Sequence, residues 1–105
     1  MHIQLNTDHN IKGTEALTEQ IDASVSEILN HVGSQVTRVE IHLSDLNGDT
    51  KTGPNEIRCL MEARLAGHQP MVVSYESESV MQAVDGAAHK LKTVLESTLA
   101  RLASR

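Results

Sequence analysis

Apolar residues along this chain fall into four short alternating runs and two longer periodic ones. His2–Thr7 alternates, with Ile3 and Leu5 on one side and His2, Gln4 and Asn6 on the other, as in a half-buried strand. From Gly13 and Thr14 the spacing changes. Leu17, Ile21, Val25, Ile28 and Val32 step by threes and fours, which predicts an amphipathic helix stopping at Gly33. Thr37–Leu43 alternates again, with Thr37, Val39, Ile41 and Leu43 facing one way and Arg38, Glu40 and His42 the other. Ser44–Glu56 is rich in Gly, Asp, Asn and Thr and predicts a long loop. Ile57–Leu65 is a third strand, Gly67 and His68 make a hairpin turn, and Pro70–Tyr75 is a fourth strand. A second helix opens at Ser79, where Ser79 and Gln82 have capping-box spacing. Its stripe is Val80, Val84, Ala87, Leu91, Leu95, Thr98 and Leu102.

The predicted order is β-α-β-β-β-α. Every strand has one apolar and one polar face, and each helix has one apolar stripe. The economical packing is an α+β two-layer sandwich: a four-stranded sheet in the order 1-2-3-4 with both helices on one face. The whole chain, 1–105, reads as one domain, with no repeat or interdomain linker. The open sheet face then shows His2, Gln4, Asn6, Arg38, Glu40, His42, Arg58, Glu62 and Arg64 to water.

Charge adds a polarity. The formal net charge is −5, yet the segment from Ser79 onward carries Lys90, Lys92, Arg101 and Arg105 against Asp85 and Glu96. The first helix has Glu15, Glu19, Asp22 and Glu27 and no basic residue. A cationic helix on an acidic body is the one feature that hints at a polyanionic partner, against the plainer reading that C-terminal Lys and Arg complement the helix dipole and solubilise a surface. Lys90 and Arg101 are eleven residues apart, close to three turns, and share a face; Lys92 points elsewhere. Arg38, Arg58 and Arg64 are candidate phosphate contacts on the sheet. Glu40 and Glu62 share that face, so cross-strand Arg–Glu pairing is the favoured use of the arginines.

Several functions are excluded or disfavoured. There is one Tyr and neither Phe nor Trp, so binding by stacking bases on aromatic rings is unsupported. Cys59 is the one cysteine and falls on the apolar side of its strand, where it reads as a small core hydrophobe. A lone cysteine forms no internal disulfide, and a reducing cytoplasm is the expected location. Among the six histidines only His2 and His42 are a plausible same-face pair, a poor metal site without a thiolate partner. No phosphate-binding glycine loop, acid–base pair or nucleophile constellation is present, so neither an enzyme nor a cofactor is expected. No run is long enough to cross a bilayer.

The run ESESVMQAVDGAAHKLKTVLE, with Ala83-Val84-Asp85 followed by Lys90-Leu91, resembles the ribosome hibernation promoting factor family. That family is also called ribosome-associated inhibitor or sigma-modulation protein. Together with the element order, the resemblance covers Ile3 to about Leu102. It implies a small, non-enzymatic cytoplasmic protein that binds the small ribosomal subunit near the tRNA and mRNA path and silences idle ribosomes. It implies no membrane and no small-molecule substrate. Longer members add a C-terminal dimerisation domain, so this chain resembles the short form, its self-association left open.

In that family basic side chains on both helices touch rRNA phosphates. The expected nucleic-acid contacts here are therefore Lys90, Lys92 and Arg101 on the second helix, with Arg58 and Arg64 on the sheet. The chain departs from the family at the basic-free first helix, and at Thr93 and Ser97, where cations are usual. A protein-interaction module that kept the fold and lost the rRNA footprint is the alternative.

Overall fold

The computed structural model describes residues 1–47 and 56–104. Lys51, Arg105 and the middle of the expected 44–56 loop lie outside them. The elements are β1 (His2–Thr7), α1 (Glu15–Ile28), a 3₁₀ turn at Gly33–Gln35, β2 (Val36–Asp45), β3 (Ile57–Leu65), β4 (Met71–Ser77) and α2 (Val80–Ala103). The sheet order is β1-β2-β3-β4, as expected. β1 runs parallel to β2, with α1 as the crossover; β2–β3 and β3–β4 are antiparallel.

The core sits between the sheet and the helices. Ile21, Leu29, Ile41, Met61, Leu91 and Leu95 are its largest fully buried side chains. Ala83, Ala87 and Ala88 are also fully buried, so small side chains line the inner face of α2. Among the described residues no polar or charged residue is buried. Both helices start on side-chain caps. Thr14 Oγ1 accepts from the Leu17 amide at 3.1 Å and Ser79 Oγ from the Gln82 amide at 3.2 Å. Gly67 takes φ 79° in the β3–β4 turn, a conformation that other L residues resist.

The structure differs from the sequence expectation at several points, of which the simplest is β4, which runs Met71–Ser77 rather than Pro70–Tyr75. α1 ends at Ile28 rather than at Gly33. Beyond it the chain tightens into i→i+3 turns, with the Val32 amide bonding the Leu29 carbonyl at 3.0 Å. That tightening lets Leu29 and Val32 both reach the core, 0% and 4% exposed. Thr37 is exposed instead of facing inward, because β2 is bulged there: Val36 pairs with Leu65 and Arg38 with Arg64. The extra residue turns outward, and its Oγ1 donates to the Arg64 carbonyl at 3.1 Å. Ser44 and Asp45 extend β2 rather than opening the loop, and the Leu46 amide bonds the Glu56 carbonyl at 2.9 Å across its base.

Candidate nucleic-acid interface

The cations of α2 divide between its two flanks. Lys90 is exposed, and its Nζ donates to the Ser74 carbonyl of β4 at 2.8 Å. Two turns on, Thr98 Oγ1 contacts Met71 Sδ, also on β4, at 3.5 Å. Arg101 joins this flank by donating to Ser97 Oγ and Thr98 Oγ1, each at 3.3 Å. Lys90 and Arg101 thus lie along the β4 side of α2, about 16 Å apart along the helix axis at 1.5 Å per residue. Lys92 is half-buried and sits seven residues after Asp85, whose Oδ1 accepts from Ser24 Oγ of α1 at 2.6 Å. Lys92 therefore belongs to the α1 flank. There Glu15, Glu19, Asp22 and Glu27 are all exposed.

Arg58 and Arg64 are on the other side of the molecule. They alternate along β3 with the buried Ile57, Cys59, Met61, Ala63 and Leu65, which face the helices. The structure therefore does not gather the five expected contacts into one patch. It forms a helix edge and a separate sheet face.

The sheet arginines are all ion-paired. Arg38 pairs with Glu40 at 3.3 Å, Arg64 with Glu62 at 3.8 Å and Arg58 with Glu76 at 3.7 Å. Arg38 also donates to Gln4 Oε1 of β1. The expectation of cross-strand Arg–Glu pairs between β2 and β3 is corrected here. In the observed register Arg38 stands opposite Arg64 and Glu40 opposite Glu62. Each of these two arginines is neutralised along its own strand; only Arg58–Glu76 crosses strands. Such exposed pairs contribute at most about 1 kcal/mol each.

His2 pairs in register with Arg38, and His42 with Asn6. Four residues of strand separate the two histidines, about 13 Å, too far to share a metal ion. Among the described residues no group of three His, Cys, Asp or Glu side chains is placed to hold one. Cys59 is fully buried, and desolvation pushes its thiol pKa up to about 12, which keeps it protonated and unreactive. Among the described residues no helix is long and apolar enough to cross a membrane.

Sequence reasoning missed what holds this site in place. Asp85, part of the family motif, ties α2 to α1 through Ser24. Tyr75 packs on Gly86 of α2, and the signal for that contact was a glycine in a helix interior. Arg38, a candidate phosphate contact although outside the five expected ones, stands beside Arg64, a placement that only strand register reveals.

The chain is similar in structure to a ribosomal subunit interface protein from Coxiella burnetii. The TM-score is 0.78 at 20% identity, over 95% of this chain and 99% of that one. It is also similar to the N-terminal domain of Thermus thermophilus Protein Y, with TM-score 0.71 at 19% identity, over 93% and 99% of the two chains. At these identities the likeness establishes the fold. No curated protein matches the sequence. The sigma 54 modulation protein / S30EA ribosomal protein family matches residues 5–103, nearly the whole chain, and the protein belongs to that family.

Proposed function

We propose that this protein is a ribosome-associated factor that docks on the small ribosomal subunit and silences or protects idle ribosomes by steric exclusion. The family match over residues 5–103 carries the reading. The Coxiella neighbour, described as a ribosomal subunit interface protein, is consistent with it. As a member of a ribosomal protein family the chain is non-enzymatic.

The contact surface in this reading is the β4-side edge of α2. Lys90 and Arg101 supply two phosphate contacts there, with Ser97 and Thr98 as hydroxyl neighbours. The acidic α1 faces away from the RNA, because four exposed carboxylates repel phosphate. Arg58 and Arg64 serve as secondary contacts only if RNA also reaches the open sheet face. A sucrose gradient of stationary-phase lysate tests the docking. Co-sedimentation with the small subunit or with whole ribosomes at low salt is expected. Recovery only at the top of the gradient removes the proposal.

One observation favours a second reading, that of a protein-interaction module. Every charged residue on the exposed face of α1 is acidic, where rRNA-binding relatives are expected to be basic. Absence from ribosomes together with retention of a basic protein partner in the same lysate favours that alternative.

A further inference from the structure

β4 is an edge strand: among the described residues its one sheet neighbour is β3. Along an antiparallel strand, successive residues aim their N–H and C=O groups alternately toward the neighbour and away from it. Lys90 Nζ reaches the Ser74 carbonyl at 2.8 Å, which marks Ser74 as outward-facing and, by alternation, Val72 and Glu76 too. Large apolar side chains border this edge. Val72 is 55% exposed and Tyr75 41%. Val94, 38% exposed, lies on α2 between Lys90 and Thr98, the residues that touch β4 at Ser74 and Met71.

We propose that the β4 edge is a pairing surface for a second copy of this chain, and that Lys90 holds it shut. The strand's own sequence, MVVSYES, selects the occupant. Two copies set antiparallel about Ser74 place Val73 against Tyr75, Val72 against Glu76 and Met71 against Ser77. Apolar and aromatic side chains meet on the helix side, and no like charges oppose each other. The outward groups of Val72, Ser74 and Glu76 complete the ladder, with the two Ser74 residues exchanging bonds at its centre.

Lys90 blocks that centre in two ways. Its ammonium already occupies the Ser74 carbonyl. Pairing also brings two such ammonium groups together at the two-fold axis, a repulsion that works against the dimer. Lysine on an open edge is a recurrent means of preventing edge-to-edge association. Pairing at this edge needs no RNA, so it is tested without the ribosome even though Lys90 serves in both readings.

Sedimentation velocity of the RNA-free protein, from micromolar to millimolar, tests the proposal. Lys90→Met keeps the apolar stem and removes the ammonium; Lys90→Gln is an independent neutral variant. Both alter an exposed side chain, and thermal melts confirm that they are folded. The wild type is expected to be monomeric, and both variants to dimerise with a dissociation constant at least tenfold lower. Adding Ser74→Pro, which removes the central outward N–H, returns them to monomers. Variants that stay monomeric throughout overturn the proposal. So does a dimer that survives Ser74→Pro, since it then forms through another surface.

Discussion

The ring of Tyr75 fills the space that a side chain at residue 86 would occupy: a Cβ on Gly86 would lie 2.3 Å from the ring Cδ2 and 2.6 Å from Cγ. The obstruction reaches back to Cγ, so a small tilt of the ring does not relieve it; the side chain must rotate off α2. In an unobstructed helix, Gly→Ala gains about 1 kcal/mol. Here the lost ring packing outweighs that gain, and Gly86→Ala destabilises by about 1 kcal/mol. With Tyr75→Ala already present, the same substitution stabilises by up to about 1 kcal/mol. Denaturant unfolding of all four members of this cycle reads the change of sign.

The like-charge rows on the open sheet face lead to a second expectation. Exchanging the charges on β3, by Glu62→Arg with Arg64→Glu, puts opposite charges across both rows facing Glu40 and Arg38. The double variant gains a few tenths of a kcal/mol up to about 1 kcal/mol. The gain shrinks as salt rises from 0.01 to 1 M, because exposed charges are screened. Thermal melts at the two salt concentrations measure it.

Cys59 makes stability depend on alkaline pH. Its thiol is neutral when folded, with the pKa raised from 9.0 to about 12 by burial. A raised folded pKa on an acid favours the folded state fully below the unfolded pKa. The contribution is lost as pH rises from 9.0 towards 12, because the unfolded chain alone releases the proton. The slope attributable to this group is about 1.4 kcal/mol per pH unit within that window. Cys59→Ala lowers stability overall but flattens the profile above pH 9.0. Urea unfolding at a series of alkaline pH values separates the two effects. Alkylation of Cys59 in the folded protein is correspondingly slow.

If the β4-side edge of α2 meets rRNA, its two cations act separately from Lys92. Lys90→Ala and Arg101→Ala each weaken ribosome binding and each lower the slope of log K against log salt by about one. Lys92→Ala leaves that slope unchanged, since Lys92 lies on the α1 flank. Slopes from pelleting assays at several salt concentrations distinguish these outcomes, and equal effects from all three substitutions contradict the assignment of flanks.

Most of the fold was legible because periodicity is a local property. The alternation in Ile57–Leu65 placed the inward residues of β3 correctly, and the three-four spacing from Val80 placed Val84, Ala87, Leu91 and Leu95 of α2 in the core but missed the equally buried Ala83 and Ala88. Thr37 was misplaced because a bulge has no periodic signature: Val36 and Val39 are both buried, and simple alternation does not put both on one face. The candidate site was legible only as a set of charges. Lys90 and Arg101 sharing a face follows from their spacing, but the contacts of Lys90 with Ser74 and of Asp85 with Ser24 join residues far apart in the chain.

The sequence by itself determined the kind and order of the elements, the aliphatic core, and the contrast between an acidic α1 and a partly basic α2. Each of these depends on residues within a few positions of one another. The tertiary structure decided which charges meet. Alternation sets the face of each residue but not its partner, so a two-residue slip between β2 and β3 would put Arg38 opposite Glu62 and leave every face unchanged. The fit of the buried cross-strand pairs Ile41–Met61 and Leu43–Cys59 under the helices sets the register instead. Arg38 consequently stands opposite Arg64, and Lys90 lies over the edge of β4.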